Sequence, residues 1–259
     1  MTRIALVTGA SSGLGREFVK RIDAGEAGAV DEIWAVARRA DRLDALVRTC
    51  KTRVRPFCLD LTDPASLDII EGALAEADGC DVALLVNNAG AGVFGDFALA
   101  HREEPSHMVD LLVKVPVELM YRSLPFMHAG ARIINVASVA AFLPQPRLAV
   151  YAAAKRFILD ITRALDTELG SVDIHATALC PKFMKTEFFD AAGDAGVMQK
   201  MSGVIGFERV EDVVTAALRA AQAGRSLCIP SWGMKAYYAA SRVLPYPLAI
   251  KLEKLLGAL

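Results

Sequence analysis

The sequence predicts an α/β fold in which a parallel sheet carries helices on both faces. Short apolar or β-branched runs alternate with longer segments of helical periodicity along almost the whole chain. Alternation of this kind implies right-handed crossovers and a doubly wound sheet. With 259 residues, 54% of them hydrophobic, the chain is expected to form one domain, residues 1–259, around a large core.

Seven segments have the composition of strands, so the sheet is expected to be seven-stranded and mostly parallel. They are residues 3–8, 32–37, 53–59, 82–86, 131–137, 173–179 and 226–229. Helical periodicity fills the segments 13–24, 41–50, 64–77, 103–127, 150–170 and 208–223.

The last segment, residues 231–259, leaves this pattern. It mixes Trp232, Tyr237, Tyr238 and several leucines with four lysine and arginine residues. We favour an amphipathic helical appendage that covers apolar surface of the same domain or a subunit contact. A substrate lid is the next interpretation, and contact with a membrane surface is less favoured.

The composition limits the classes of partner. A net charge of −1 argues against nucleic acid, because a phosphate backbone requires clustered lysine and arginine. The four histidines lack metal-ligand spacing, so no metal is expected, and no run reaches the roughly 18 apolar residues that a membrane span needs. The first apolar run is too short for a signal peptide, and the location is expected to be cytoplasmic. The scattered cysteines are interpreted as small buried apolar residues: Cys50, Cys58, Cys80, Cys180 and Cys228.

A glycine-rich turn follows the first predicted strand. Residues 8–15 read Thr-Gly-Ala-Ser-Ser-Gly-Leu-Gly and lead into the first helix. Glycines permit a tight turn there, and backbone N–H groups at a helix N-terminus bind a pyrophosphate. The spacing differs from Gly-x-Gly-x-x-Gly, so the signal depends on its place at the first strand–helix junction. The candidate dinucleotide-binding residues of this turn are Gly9, Ser11, Ser12, Gly13, Leu14 and Gly15.

Arg38 and Arg39 follow the second predicted strand, where the choice between two dinucleotides is made. An acidic residue there binds the ribose 2′-hydroxyl of NAD, whereas a guanidinium pairs with a 2′-phosphate, so NADP(H) is preferred and NAD(H) is the alternative. Two solvated loop arginines are the other interpretation. Asp60, with Leu61 beside it, ends the third strand and is placed to accept from an adenine amino group, to cap the helix near Pro64, or both.

Ser138, Tyr151 and Lys155 form the candidate catalytic group. If residues 149–169 are helical, Tyr151 and Lys155 lie one turn apart on the same face. An ammonium beside a phenol favours the phenolate, so we expect the pKa of Tyr151 to lie below its usual value of about 10. A tyrosine of this kind exchanges a proton with an alcohol or carbonyl near neutral pH, and Ser138 is placed to bind the same oxygen. Taken alone, the pattern Tyr-x-x-x-Lys is loose enough to arise in an ordinary helix.

Together these motifs resemble the short-chain dehydrogenase/reductase family over residues 1–230. The matches in chain order are residues 8–15, Asp60, Asn87, Asn88, Ala89, Gly90, Ser138, Tyr151, Lys155, Pro181 and Thr186. The resemblance implies a Rossmann-type fold and a homodimer or homotetramer. It implies that residues 87–90 lie beside the adenosine, that Lys155 holds the nicotinamide ribose and that Thr186 contacts the carboxamide. Tyr151 would be the acid/base, and Ser138 would position a small-molecule substrate.

The sequence departs from the family pattern at two positions. The family has a further catalytic asparagine in a segment like Asn-Val-Lys-Gly-Pro, and Leu112 occupies that position here. That asparagine supports a water linking the lysine to solvent, so the relay is expected to be rerouted or slowed. The usual Pro-Gly after the sixth strand is Pro181-Lys182.

Segments 139–148 and 182–206 are expected to flank the substrate, and the tail is a further candidate for this region. Their apolar residues suggest either core packing or a pocket for a bulky secondary alcohol or ketone: Phe142, Leu143, Phe183, Met184, Phe188, Phe189, Met198, Met201 and Phe207. The predicted function is an NADP(H)-dependent oxidoreductase acting on such a substrate. The alternatives are a catalytically weak NADP(H)-binding sensor or scaffold, an enzyme of nucleotide-sugar epimerisation or dehydration, and a membrane-surface reductase anchored by residues 231–259.

Overall fold

The predicted doubly wound sheet is present in the structure, a computed structural model that describes residues 1–77, 79–93, 95–187, 206–248 and 251. Seven strands pair in parallel in the order β3-β2-β1-β4-β5-β6-β7. They are β1 (Thr2–Thr8), β2 (Glu32–Ala37), β3 (Arg53–Cys58), β4 (Cys80–Asn87), β5 (Arg132–Val136), β6 (His175–Leu179) and β7 (Leu227–Cys228). The fold class and the strand assignment are therefore confirmed.

Helices cover both faces of this sheet. The helices of the described residues are α1 (Gly13–Asp23), α2 (Ala40–Thr49), α3 (Pro64–Glu76), α4 (Glu103–Val109), α5 (Val115–Ser123), α6 (Ala149–Leu169), α7 (Val210–Gln222) and α8 (Trp232–Val243). Alternate side chains of β1 face opposite sides of the sheet, and helices cover both. Ala5 and Val7 pack among residues of α1 and α7, whereas Ile4 and Leu6 pack among residues of α3 and α5. All four side chains are fully buried, as expected for a central strand of a parallel sheet.

The strand order reverses at β1, which has β2 on one side and β4 on the other. The connections leaving β1 and β4 therefore run to opposite faces, and a crevice opens between them at their carboxyl ends. Ligands of doubly wound sheets bind at this kind of switch point.

The predicted helix 103–127 is interrupted. A π-helical turn, Asp110–Lys114, separates α4 from α5, and a 3₁₀ turn, Leu124–Phe126, ends the segment. Pro116 explains the interruption, since proline has no N–H to donate to the carbonyl four residues earlier. Apolar periodicity, which is what predicted the helix, does not register a missing donor.

Asp63, rather than Asp60, caps α3. The Asp63 carboxylate accepts a hydrogen bond from the Ala65 N–H at 3.0 Å, and Pro64 stands at the first helical position, where a missing N–H costs nothing. The capping role predicted for Asp60 was wrong. The Asp60 carboxylate instead accepts hydrogen bonds from Thr62, in the turn after β3.

Helix α8 shows where the beginning of the tail lies. The rings of Tyr237 and Tyr238 pack on Phe142, with centroids 5.9 Å and 4.8 Å away. Trp232 and Val243 are more than four-fifths exposed, so α8 covers the domain with one face only. Among the described residues, no helix has the length and apolar character needed to cross a membrane.

The cysteines follow the prediction in part. Cys80, Cys180 and Cys228 are buried, whereas Cys50 is half-buried and Cys58 is exposed. Cys58 ends β3 on an outward-facing position of an edge strand, so the expectation of a buried thiol was wrong there.

The close packing of the first turn gives a stability test. A Cβ at Gly15 would lie 2.2 Å from the Gly9 carbonyl oxygen, whereas a Cβ at Gly72, inside α3, would meet nothing within 4 Å. We expect Gly15→Ala to lower the free energy of unfolding by more than about 2 kcal/mol, because backbone atoms must shift. The control Gly72→Ala should raise it by about 0.5–1 kcal/mol, since alanine favours the helix. Urea unfolding of both variants measures these free energies. Equal changes in the two variants would contradict the close packing at Gly15.

Candidate active site

A cavity of about 820 Å³ lies at the carboxyl ends of the strands, over the switch point. Its wall includes most of the predicted cofactor and catalytic residues: Gly9, Ser11, Ser12, Gly13, Leu14, Arg38, Arg39, Asp60, Leu61, Asn88, Ala89, Gly90, Ser138, Tyr151, Lys155, Pro181 and Thr186. Gly15 and Asn87 are the exceptions. Asn87 is buried and donates to the Asn135 side chain. Gly15 has a packing role, which is to let α1 pack on the Gly9 backbone.

The glycine turn has the conformation that its sequence requires. Gly9 and Gly13 have φ values of +67° and +50°, which residues with a side chain rarely adopt. A Cβ at Gly9 would also lie 2.6 Å from Asn88 Nδ2. Ser12 precedes α1 without capping it, because the Ser12 hydroxyl accepts a hydrogen bond from Arg39 instead. The first N–H groups of α1 therefore face the cavity, as a pyrophosphate site needs.

Thr8 ties the ends of β1 and β4 together. Its Oγ1 accepts from the N–H groups of Asn88 (2.9 Å) and Ala89 (3.0 Å) and donates to the Val86 carbonyl. In return, Asn88 Nδ2 donates to the Thr8 carbonyl at 2.9 Å. These bonds hold the turn after β4 against the glycine turn, and they fix one edge of the cavity.

Arginines gather where β2 ends. Arg39 donates to the hydroxyls of Ser11 and Ser12, at 3.0 Å and 2.8 Å from Nη2, so it joins α2 to the glycine turn. Both Arg39 and Arg42 also donate to the Glu187 carboxylate at 2.6 Å. Those two hydrogen bonds hold the pKa of Glu187 below its usual value. Arg38 is more loosely placed, with its side chain 69% exposed and Nη1 3.9 Å from Asp60.

Asp60 stands at the cavity wall as an ionised acceptor. Partial burial favours the neutral carboxyl, but hydrogen bonds from the Thr62 hydroxyl (2.7 Å) and N–H (3.0 Å) outweigh it. The pKa of Asp60 therefore lies below its ordinary value.

The three candidate catalytic residues meet at one point of the cavity. The side chains of Ser138 and Tyr151 share a hydrogen bond, and Ser138 Oγ accepts a second one from the Ala140 N–H at 3.1 Å. Lys155, only 5% exposed, donates to the Val136 carbonyl at 2.6 Å. Its Nζ lies 5.7 Å from the centroid of the Tyr151 ring. Helix α6 thus carries both residues on the face that meets the end of β5.

Burial dominates the titration of this group. It raises the pKa of Tyr151 to about 12, against the opposing hydrogen bond with Ser138. It also lowers the pKa of Lys155 to about 8. The predicted depression of the Tyr151 pKa was wrong, because burial of the phenol outweighs the hydrogen bond with Ser138. Tyr151 is therefore protonated at neutral pH and is suited to donate a proton.

Leu112 replaces the expected amide with an apolar wall. It lies in the π-helical turn, is 1% exposed and packs with Met108 and Ala154. A Cβ at Gly90 would lie 3.1 Å from the Leu112 side chain. This side of the lysine is therefore closed by hydrocarbon.

The part of the cavity wall that is predicted to contact the substrate is mostly apolar. It includes Gln145, Leu148, Phe183, Met184, Met234 and Tyr237, the last two supplied by helix α8. Phe142 and Leu143 are buried outside this wall, as the core-packing alternative predicted. Phe207 is 47% exposed beneath Lys185 and fits neither alternative. Phe188, Phe189, Met198 and Met201 lie outside the described residues.

The comparisons with known proteins agree with this arrangement. The family model for short chain dehydrogenases matches residues 3–195. The chain belongs to the short-chain dehydrogenase family. The L-xylulose reductase of Bos taurus is 33% identical over 223 residues, which cover 83% of this chain and 87% of that protein. The predicted resemblance and the assignment as an oxidoreductase are thereby confirmed.

Solved structures of the family superpose on the whole chain. A short-chain dehydrogenase from Sphingobium yanoikuyae, in complex with NADPH, is 27% identical with a TM-score of 0.77, and the match covers 100% of this chain and 96% of that one. The bulky-bulky ketone specific alcohol dehydrogenase of Comamonas testosteroni is 25% identical with a TM-score of 0.74, covering 99% and 94%.

Arg42 and Glu187 were missed by the sequence reasoning. Arg42 follows Arg39 by three residues on one helix, and that spacing was a usable signal. Glu187 gave none, because its contact with Arg42 spans 145 residues of sequence.

The lowered pKa of Lys155 predicts a pH dependence of stability. Between about pH 8 and the ordinary lysine pKa of 10.5 the unfolded chain holds a proton that the folded protein has lost, so stability rises with pH. Relative to Lys155→Met, the wild type should gain on the order of 2 kcal/mol in unfolding free energy between about pH 8 and 10. Urea unfolding at several pH values measures the difference. Parallel curves for the two proteins would show that Lys155 keeps an ordinary pKa.

Proposed function

We propose that the protein is an NADP(H)-dependent oxidoreductase that interconverts a secondary alcohol and a ketone. One observation carries the proposal: the paired hydroxyls of Ser138 and Tyr151, with Lys155 beside them, open into the cavity that also contains the glycine turn and Arg39. A proton donor and a dinucleotide cradle are the two parts that hydride transfer to a carbonyl requires.

The residues present fit a phosphorylated nicotinamide dinucleotide. The N-terminus of α1 would take the pyrophosphate, and Arg39, with Arg38, would take the 2′-phosphate. Asp60, Leu61, Ala89 and Thr186 line the cavity wall. By the family resemblance, the first three would contact the adenosine and Thr186 the carboxamide of the nicotinamide. When bound, the dinucleotide supplies or accepts the hydride.

Tyr151 acts as the acid in ketone reduction. With a pKa of about 12 its hydroxyl is protonated at neutral pH and donates to the developing alkoxide oxygen. Ser138, already hydrogen-bonded to Tyr151, orients the same substrate oxygen. In the reverse direction Tyr151 must first lose its proton. A raised pKa therefore favours reduction over oxidation near neutral pH.

The lining of the cavity favours a bulky apolar substrate. Leu148, Phe183, Met184 and Met234 make the substrate end apolar. The similar structure from Comamonas testosteroni is specific for bulky-bulky ketones, and this supports the same class here.

A catalytically weak NADP(H)-binding sensor is the second candidate. Leu112 favours it, because hydrocarbon occupies the position of the family's asparagine and closes one side of Lys155. A sensor of this kind would bind NADPH but reduce no ketone.

Replacement of the proposed acid tests the function. We expect Tyr151→Phe to bind NADPH as the wild type does, while the rate of ketone reduction falls roughly 10²- to 10⁴-fold, the usual contribution of general acid catalysis. The matched control is Tyr121→Phe, at a side chain 76% exposed on α5, which should keep full activity. NADPH fluorescence measures binding, and absorbance with a panel of bulky ketones measures turnover. Unchanged turnover in Tyr151→Phe would refute its role, and binding without turnover in the wild type would favour the sensor.

A further inference from the structure

Glu187 fills an anion site built by the arginines of α2. Arg39 Nη1 donates to one carboxylate oxygen of Glu187 at 2.6 Å, and Arg42 Nη1 contacts both oxygens at 2.6 Å and 2.9 Å. The same Arg39 side chain is held by the hydroxyls of Ser11 and Ser12. Two guanidinium groups thus converge on one negative group, and the hydroxyls that precede α1 hold one of those guanidinium groups in place.

The ligands of this carboxylate are those that a phosphate monoester prefers. Guanidinium groups bind planar or tetrahedral oxyanions through paired hydrogen bonds, and hydroxyls provide further donors. Glu187 is 48% exposed in this position, so an incoming anion can reach it from solvent. The carboxylate therefore stands where a 2′-phosphate on the adenosine ribose would be bound.

We propose that Glu187 occupies the 2′-phosphate subsite of the free protein and that the phosphate of NADP(H) displaces it onto an Arg39–Arg42 clamp. This inference rests on the proposed NADP(H) dependence. Arg42, rather than the loosely held Arg38, is the second arm of the clamp, since both Arg39 and Arg42 already contact the same anion. Glu187 then weakens binding of the phosphorylated dinucleotide alone, because only the 2′-phosphate competes for its two ion pairs.

A different role for Glu187 makes the opposite prediction. An acidic residue at the adenosine ribose can accept from the 2′-hydroxyl of NAD(H). In that case removing the carboxylate would weaken binding of the unphosphorylated ligand. If Glu187 is instead a displaced anion, removing its carboxylate leaves binding of the unphosphorylated ligand almost unchanged and strengthens binding of the phosphorylated one.

The experiment compares ligand halves that differ only in the 2′-phosphate. Titration calorimetry with 2′,5′-adenosine diphosphate and with 5′-adenosine monophosphate isolates this subsite from the nicotinamide end and from catalysis. The variants are Glu187→Gln and Arg42→Gln. Asp44→Asn is the control, since it removes one charge from an exposed position of α2 outside the cavity wall.

We expect Glu187→Gln to bind the diphosphate roughly three- to tenfold more tightly than the wild type, as release from two exposed ion pairs allows. Affinity for the monophosphate should change no more than it does in Asp44→Asn. The gain should shrink in high salt, which screens exposed charges. Arg42→Gln should lose affinity for the diphosphate and keep that for the monophosphate.

Two results would overturn the inference: an equal gain for both ligands in Glu187→Gln, or weaker binding of the monophosphate by that variant. The proposed cofactor choice is judged separately, from the wild type. If both the wild type and Glu187→Gln bound NADH as tightly as NADPH, the NADP(H) assignment itself would fall. A wild type that prefers NADPH, with a preference that Glu187→Gln leaves unchanged, would refute the displacement alone.

Discussion

The hydrogen bonds between Thr8 and the residues after β4 are the constraint on which the site depends. They join two strand ends at the place where the connections diverge to opposite faces of the sheet. The glycine turn is held against Asn88 so closely that a Cβ at Gly9 has no room. A side chain that is 1% exposed thus fixes the relative position of two turns that line a solvent-facing crevice.

Burial, more than mutual charge, sets the chemistry of Tyr151 and Lys155. Removing a phenol and an amine from water favours the neutral form of each, so the pKa of Tyr151 rises to about 12 and that of Lys155 falls to about 8. The lysine recovers part of its lost hydration through the Val136 carbonyl.

The sequence predicted most of the fold because the relevant signals are local. Uninterrupted apolar runs mark strands buried on both faces, and each observed strand lies within two residues of its predicted bounds. The predictions failed where a detail of the backbone or a contact between distant residues determines the local structure. Pro116 divided a helix that periodicity had predicted whole, and the capping role fell to Asp63 rather than Asp60. Most residues that line the cavity belong to sequence motifs and could be predicted from them. Glu187 could not, because only the tertiary fold brings it to the arginines. Single-domain organisation, assembly into two or four copies and the cytoplasmic location stay predictions.

In the π-helical turn Asp110–Lys114, different residues determine the helix geometry and the chemistry of the buried side chain. The irregularity arises from an imino acid at 116, four positions after the buried Leu112 side chain. The residue at 112 can therefore change from an amide to an alkyl group without any change in the course of the helix. One substitution there alters the polarity of the packing against Met108 and Ala154 while the surrounding scaffold stays intact.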